Sequence, residues 1–189
     1  MFWRRMIRQE SRILLIKRLL IPLLVICALT IQFTACRAVA YSCVKSAHLF
    51  HIERNKNGNV VYYDVCLNNN GDIAASNPAL AYWVLENGKK EELGLVDRTF
   101  AYGIVFQGKA VDGGESFSIA ALKKIHFRIE TISKEYKAVA SINNRDMIIE
   151  RIYVNSKEHY LGLPKVVYVD IYGRTLDGDI PVKERLLPE

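Results

Sequence analysis

The chain has 189 residues, half of them apolar, and a formal net charge of +6. Six basic residues (Arg4, Arg5, Arg8, Arg12, Lys17, Arg18) and one acid (Glu10) precede residue 36, so 20 of the 26 basic and 19 of the 20 acidic residues belong to the rest. That rest is close to neutral, which excludes bulk electrostatic binding to nucleic acid and leaves the basic excess to a segment that orients membrane insertion.

The first element is a leader. A basic stretch runs into an apolar run from Leu19 to Ala35 and then into Phe33-Thr34-Ala35-Cys36. Small residues before a cysteine are the order of a bacterial lipoprotein leader, because the peptidase must fit that segment and the thiol must be reachable for lipid transfer. Cys36 is therefore the candidate lipidation site, with Phe33 standing where leucine is usual. Two other readings stay open. An uncleaved anchor would use a run that is short against the ~20 residues of a spanning helix and that holds Pro22, Thr30, Gln32 and Thr34. Simple cleavage would follow Ala38-Val39-Ala40. In all three, positive residues before the apolar run stay cytoplasmic, so the rest of the chain is expected on the far side of the inner membrane, in the cell envelope. The expected organisation is a leader or anchor over residues 1–36, a tether over 37–47 and one β domain over 48–189.

Cys27 lies within the apolar run, so Cys43 and Cys66 are the cysteines left to the exported part. An oxidising compartment permits a disulfide between them. The alternative is a buried Cys66 thiol on an apolar strand face, with Cys43 in the tether. No C-x-x-C and no Cys/His zinc spacing occurs, so neither a metal nor another cofactor is expected.

From Ala47 onward the dominant period is two. Ile125, Phe127 and Ile129 alternate with His126, Arg128 and Glu130, the pattern of a strand with one buried face. Comparable runs predict strands near 48–54, 59–67, 79–86, 116–122, 125–132, 136–142, 147–155 and 165–173. Asn57-Gly58, Asn87-Gly88 and Asn143-Asn144 mark turns between them. Over Glu91–Tyr102 the alternation breaks: Leu93, Val96 and Phe100 fall at helical spacing and Gly103 is placed to end a short helix. The expected fold class is all-β and mainly antiparallel, a single sandwich or barrel-like domain of about eight strands with one short helix.

No catalytic set is visible. Gly113-Gly114-Glu115-Ser116-Phe117 lacks the second glycine of a nucleophile elbow and leads into a strand. His48 and His51, three apart on one strand, are expected on opposite faces; His126 falls on a polar face and His159 in a polar loop. Asp64, Glu86, Glu91, Glu92 and Glu130 show no spacing that brings two together. Asp112-Gly113-Gly114 is too short for a phosphate loop. What remains is a set of aromatic and basic residues suited to contact, with Tyr82, Trp83, Arg98 and Tyr102 as the candidate binding residues. Alternating aromatics on strands also serve as core, and Arg98 has an equally open structural role as a clamp on a carboxylate such as Asp64 or Glu86.

With these segments placed, the chain resembles an uncharacterised family of bacterial envelope domains, a domain of unknown function often found behind a signal peptide. The residues carrying the resemblance are Leu49-Phe50-His51-Ile52-Glu53-Arg54 with Asn55–Val61, Ala81-Tyr82-Trp83-Val84, Glu91–Gly103 and Tyr168-Val169-Asp170-Ile171-Tyr172-Gly173. The resemblance implies an envelope setting and no activity, substrate or catalytic residue. Two function classes are carried forward. One is a non-enzymatic, membrane-tethered β domain that binds an envelope ligand or protein partner. The other is a small envelope hydrolase or carbohydrate-active enzyme whose acid/base pair converges only in the fold, drawn from Glu53, Asp64, Glu86 and Glu130. For the leader, Cys36→Ser is expected to abolish lipid labelling and membrane partitioning. Unchanged mobility and retention in the membrane fraction would establish the uncleaved anchor instead.

Overall fold

The computed structural model describes residues 43–109, 114–158 and 164–188. The leader with Cys27 and Cys36 lies outside the described residues, as do His159 and residues 110–113. The strands are β1 (Lys45–Arg54), β2 (Val60–Leu67), β3 (Ala79–Val84), β4 (Lys90–Glu92), β5 (Ile104–Lys109), β6 (Glu115–Ile119), β7 (Leu122–Ile132), β8 (Glu135–Ile142), β9 (Arg145–Glu158), β10 (Pro164–Arg174) and β11 (Pro181–Leu186). They form one curled, mixed, barrel-like sheet with little helix. The eight expected strands are β1–β3 and β6–β10; β4, β5 and β11 are additional. The first strand begins at Lys45, inside the expected tether. Instead of the helix expected over Glu91–Tyr102, the chain makes strand β4 and then a single π-helical turn, Asp97–Ala101. Of the three apolar residues at helical spacing only Leu93 is buried, and Val96 and Phe100 are exposed, so no packed face holds a longer helix together.

Local chemistry sets the pairing. Ser133-Lys134 and Asn143-Asn144 all have positive φ, giving two-residue turns that pair Ile132 with Glu135 and Ile142 with Arg145. The long strand β9 then takes different neighbours along its length. Arg145–Ile149 pairs antiparallel with β8, Arg151–Val154 pairs in parallel with His51–Arg54 of β1, and the opposite edge of β9 pairs with β10. This exchange joins β4-β3-β2-β1 to β8-β7-β6-β5 in one sheet, from which β10 and β11 branch.

The concave face holds the core. Phe50, Tyr63, Phe117 and Phe127 are fully buried, with ring centroids 4.7 Å apart for Phe50 and Tyr63, 5.1 Å for Phe50 and Phe127, and 5.4 Å for Phe117 and Phe127. Truncating one of these rings to alanine costs about 3–5 kcal/mol. Cys43 and Cys66 are joined by a disulfide with Cα atoms 5.2 Å apart, which fastens the chain just before β1 to the end of β2.

Gly173 sits at a register shift between β10 and β9, and a Cβ there would lie 1.8 Å from the Ile148 carbonyl oxygen. Gly173→Ala is therefore expected to lower stability by about 2 kcal/mol or more, because the clash is with backbone of the strand that organises the sheet. Gly178→Ala, at φ +81° but with open space around it, is expected to cost only about 1 kcal/mol. Urea unfolding midpoints of the two variants compare them directly.

Candidate functional site

The convex face of the sheet carries a row of polar and aromatic side chains. A β-bulge at Leu49 shifts the register between His48 and Phe50, and it overturns the expectation that His48 and His51 face opposite ways. Both rings lie on the convex face, 5.8 Å apart, and both pack on Tyr62. Asp64, buried beside them, accepts hydrogen bonds from His48 Nδ1 (3.1 Å), Ser46 Oγ (3.1 Å) and Tyr82 OH (2.9 Å). Glu53 accepts from His51 Nε2 (3.2 Å) and from Arg151 (3.0 Å). Farther along, buried Asp170 accepts from Arg185 at 2.6 and 2.8 Å and from Lys183 at 2.8 Å. Each acid here has its donors within the chain, so the face reads as a saturated structural layer.

Burial raises the Asp64 carboxyl, but the bonds from His48, Tyr82 and Ser46 outweigh it and leave it below its ordinary value. The Arg185 bonds, with help from Lys183, hold Asp170 well below its own against the effect of burial. Burial and the adjacent Asp64 carboxylate push the Tyr82 hydroxyl up. His51 is lowered, because burial disfavours its charged form more than Glu53 favours it.

The four candidate binding residues separate. Tyr82 points to the convex face and is tied to Asp64 and to Lys90 Nζ (3.2 Å). Trp83, its neighbour on β3, points to the other face, as strand alternation requires. It meets Tyr102 edge-on at 5.2 Å, and the Arg54 guanidinium lies 4.5 Å over its ring. Arg98 is exposed and donates to the Leu93 carbonyl at 3.2 Å, with Glu92 at 3.8 Å, so it clamps the π turn locally and reaches neither Asp64 nor Glu86. Tyr102 is held from below: buried Tyr63 donates its hydroxyl to the Tyr102 carbonyl at 2.7 Å. Gly103 is required next, since a Cβ there would lie 1.8 Å from the Arg98 carbonyl oxygen.

Tyr102 and Arg54 also line a cavity of about 860 Å³ at one end of the curled sheet, in the range of small-molecule sites. Its floor is one end of the buried core: Ile52, Ile119, Ile125, Ile142 and Val169. Its walls come from Phe100–Tyr102, the β6–β7 turn at Ala120 and Ala121, and Leu186–Pro188. Arg54, Lys56, Lys123 and Lys124 line it as well, and among the described residues no aspartate or glutamate does. Glu53, Asp64, Glu86 and Glu130 are all elsewhere; Glu86 accepts from the Gly58 amide at 2.7 Å and Glu130 from Arg128 at 3.0 Å. Among the described residues, no group of three or more His, Cys, Asp or Glu is placed to hold a metal ion. The residues that sequence reasoning missed are Arg54, Lys56 and Lys123. Their signal would have been a cation at the end of a strand next to a turn, which only the assembled sheet gathers at one mouth.

The two buried aspartates make an acid-stability prediction. Both are charged in the folded chain with pKa values below the ordinary 3.8, so the unfolded chain binds the extra protons as pH falls. Their contribution is complete above about pH 5 and is lost progressively as pH falls through the ordinary carboxylate value and then the folded-state values. Asp170→Asn is expected to lower stability at pH 7 by about 1–3 kcal/mol and to flatten the loss between neutral and acid pH, read from urea midpoints at both.

No curated protein and no solved structure matches the chain. The family model described as Domain of unknown function (DUF4833) matches residues 50–185, from the first core phenylalanine to the arginine that pairs with Asp170. The chain belongs to that family.

Proposed function

We propose that this protein is a non-enzymatic binding module of the cell envelope, exported and held at the membrane by its N-terminus, which takes an amphipathic ligand into the mouth of its curled sheet. The observation that carries the reading is the cavity itself. It is backed by the buried core residues Ile52, Ile119, Ile125 and Ile142, and Phe100, Leu122, Val166 and Leu187 give it accessible apolar surface. Apolar surface left accessible in a concave site is where burial of a ligand returns the most free energy, about 25 cal/mol per Å² removed from water. The hydrolase reading needs an acid/base pair in a concavity, and its four carboxylate candidates are not among the cavity's lining residues. The leader supports the setting: a lipid on Cys36 would leave the domain beside a membrane rich in amphiphiles.

The expected result is saturable binding of a fluorescent polyene fatty acid, cis-parinaric acid, by the full chain held in a detergent-free peptidisc. Leu122→Trp, which adds bulk at a half-buried lining position, should weaken that binding by about tenfold or more while the melting temperature stays within a few degrees. Binding that never saturates, or that ignores the substitution, would show that the mouth is not the site.

A further inference from the structure

Resting on the mouth as the binding site, we infer that the ligand's head is anionic, an oxyanion such as a carboxylate or phosphate carried on an apolar tail, and that Arg54, Lys56 and Lys123 receive it. The first observation is the segregation of charge. The chain beyond the leader has nearly equal numbers of acids and bases, yet Arg54, Lys56 and Lys123 line the cavity and, among the described residues, no carboxylate does. Cations gathered in a concavity whose described lining holds no acid favour an anionic head.

The second observation is the state of Arg54. Seven arginines lie among the described residues. Arg98, Arg128, Arg145, Arg151, Arg174 and Arg185 each pair with a carboxylate. Arg54 has an amide oxygen, Asn57 Oδ1, at 3.1 Å and two aromatic rings, Trp83 at 4.5 Å and Tyr102 at 5.8 Å. Its Nε is the buried side-chain polar atom that has no partner among the described residues. These two rings, which meet edge-on, hold the guanidinium in place without neutralising it, the arrangement that suits a forked donor awaiting an oxyanion. Lys56 and Lys123 are exposed at the same mouth, form no ion pair among the described residues, and extend the positive rim beyond Arg54. An amphiphile with its tail along Phe100, Leu122 and Val166 therefore brings its head to cations that have no acid partner among the described residues.

The test is competition against cis-parinaric acid with the full chain in peptidiscs. Four competitors are used: oleate, oleyl phosphate, oleyl alcohol and inorganic phosphate. Oleate or oleyl phosphate is expected to displace the probe about tenfold or more better than oleyl alcohol, and inorganic phosphate alone to displace none. Whichever anionic competitor is stronger identifies the head as carboxylate or phosphate. The double variant Lys56→Gln/Lys123→Gln, made at exposed positions where folding is not at stake, should narrow that preference by about tenfold and leave oleyl alcohol unchanged. Arg54→Gln should narrow it further, with Arg54→Lys restoring part of it. If oleate, oleyl phosphate and oleyl alcohol compete equally in the unaltered chain, the head-group inference fails while the cavity reading stands. If inorganic phosphate displaces the probe by itself, the site takes a free anion and the inference fails. If the probe does not bind at all, both readings fail together.

Discussion

The arrangement of the whole domain depends on one strand changing partners. Hydrogen bonding satisfies a strand on two edges, and β9 is long enough, at 14 residues, to divide one of its edges between two neighbours. Its first part continues the meander from β8; its later part accepts β1 in parallel, while β10 covers the other edge. The β1 and β8 arms are thereby set beside each other on one strand, and the sheet must curl. The curl brings Phe50 of β1 against Phe127 of β7 across the concave face. The core is thus a consequence of the pairing of β9 as much as of hydrophobicity, and the glycine at position 173 is what lets β10 lie close enough to complete it.

A sheet that curls without closing leaves edges and an end. The outer edge strand β4 consists of Lys90, Glu91 and Glu92, and β11 carries Lys183, Glu184 and Arg185, charges that disfavour pairing with another chain. The open end is different. Its apolar floor is continuous with the core, and its rim holds cations with no acid among the described lining residues. On the convex face the same residue types occur with partners: Arg151 over Tyr172 and bonded to Glu53, Arg185 over Tyr168 and bonded to Asp170. Comparing Arg54 with those two arginines distinguishes a satisfied structural ladder from a surface prepared for something else.

Much of the fold was legible because eight strands alternate apolar and polar residues, and alternation is a direct readout of one buried face. The three strands that were not legible lack a clean buried face. Val105 and Phe106 of β5 are both exposed, β4 has no apolar residue, and β11 alternates around charges. The helix expected over Glu91–Tyr102 rested on Val96 and Phe100, whose spacing was right but which face solvent. The histidines misled for a specific reason. Two consecutive buried residues, Leu49 and Phe50, mark a bulge, and a bulge reverses the parity of everything before it. The candidate site was half legible. Trp83 and Tyr102 do come together beside the mouth, whereas Tyr82 belongs to the convex face by alternation and Arg98 is spent on a backbone carbonyl. Arg54, Lys56 and Lys123 were invisible as a group because they arrive from β1, the β1–β2 turn and β7, and nothing local records that a mouth lacks carboxylates.

The central claim is that ligand enters the open end of the curled sheet, and photo-crosslinking tests it most directly. The full chain in peptidiscs is irradiated with a diazirine-tagged fatty acid, and the modified residues are located by peptide mass spectrometry. The account predicts adducts confined to Phe100–Tyr102, Ala120–Ile125 and Ser141–Asn143, suppressed by excess oleate. Adducts concentrated instead on Tyr62, Tyr82 and Tyr172 would put the binding surface on the convex face and contradict the account.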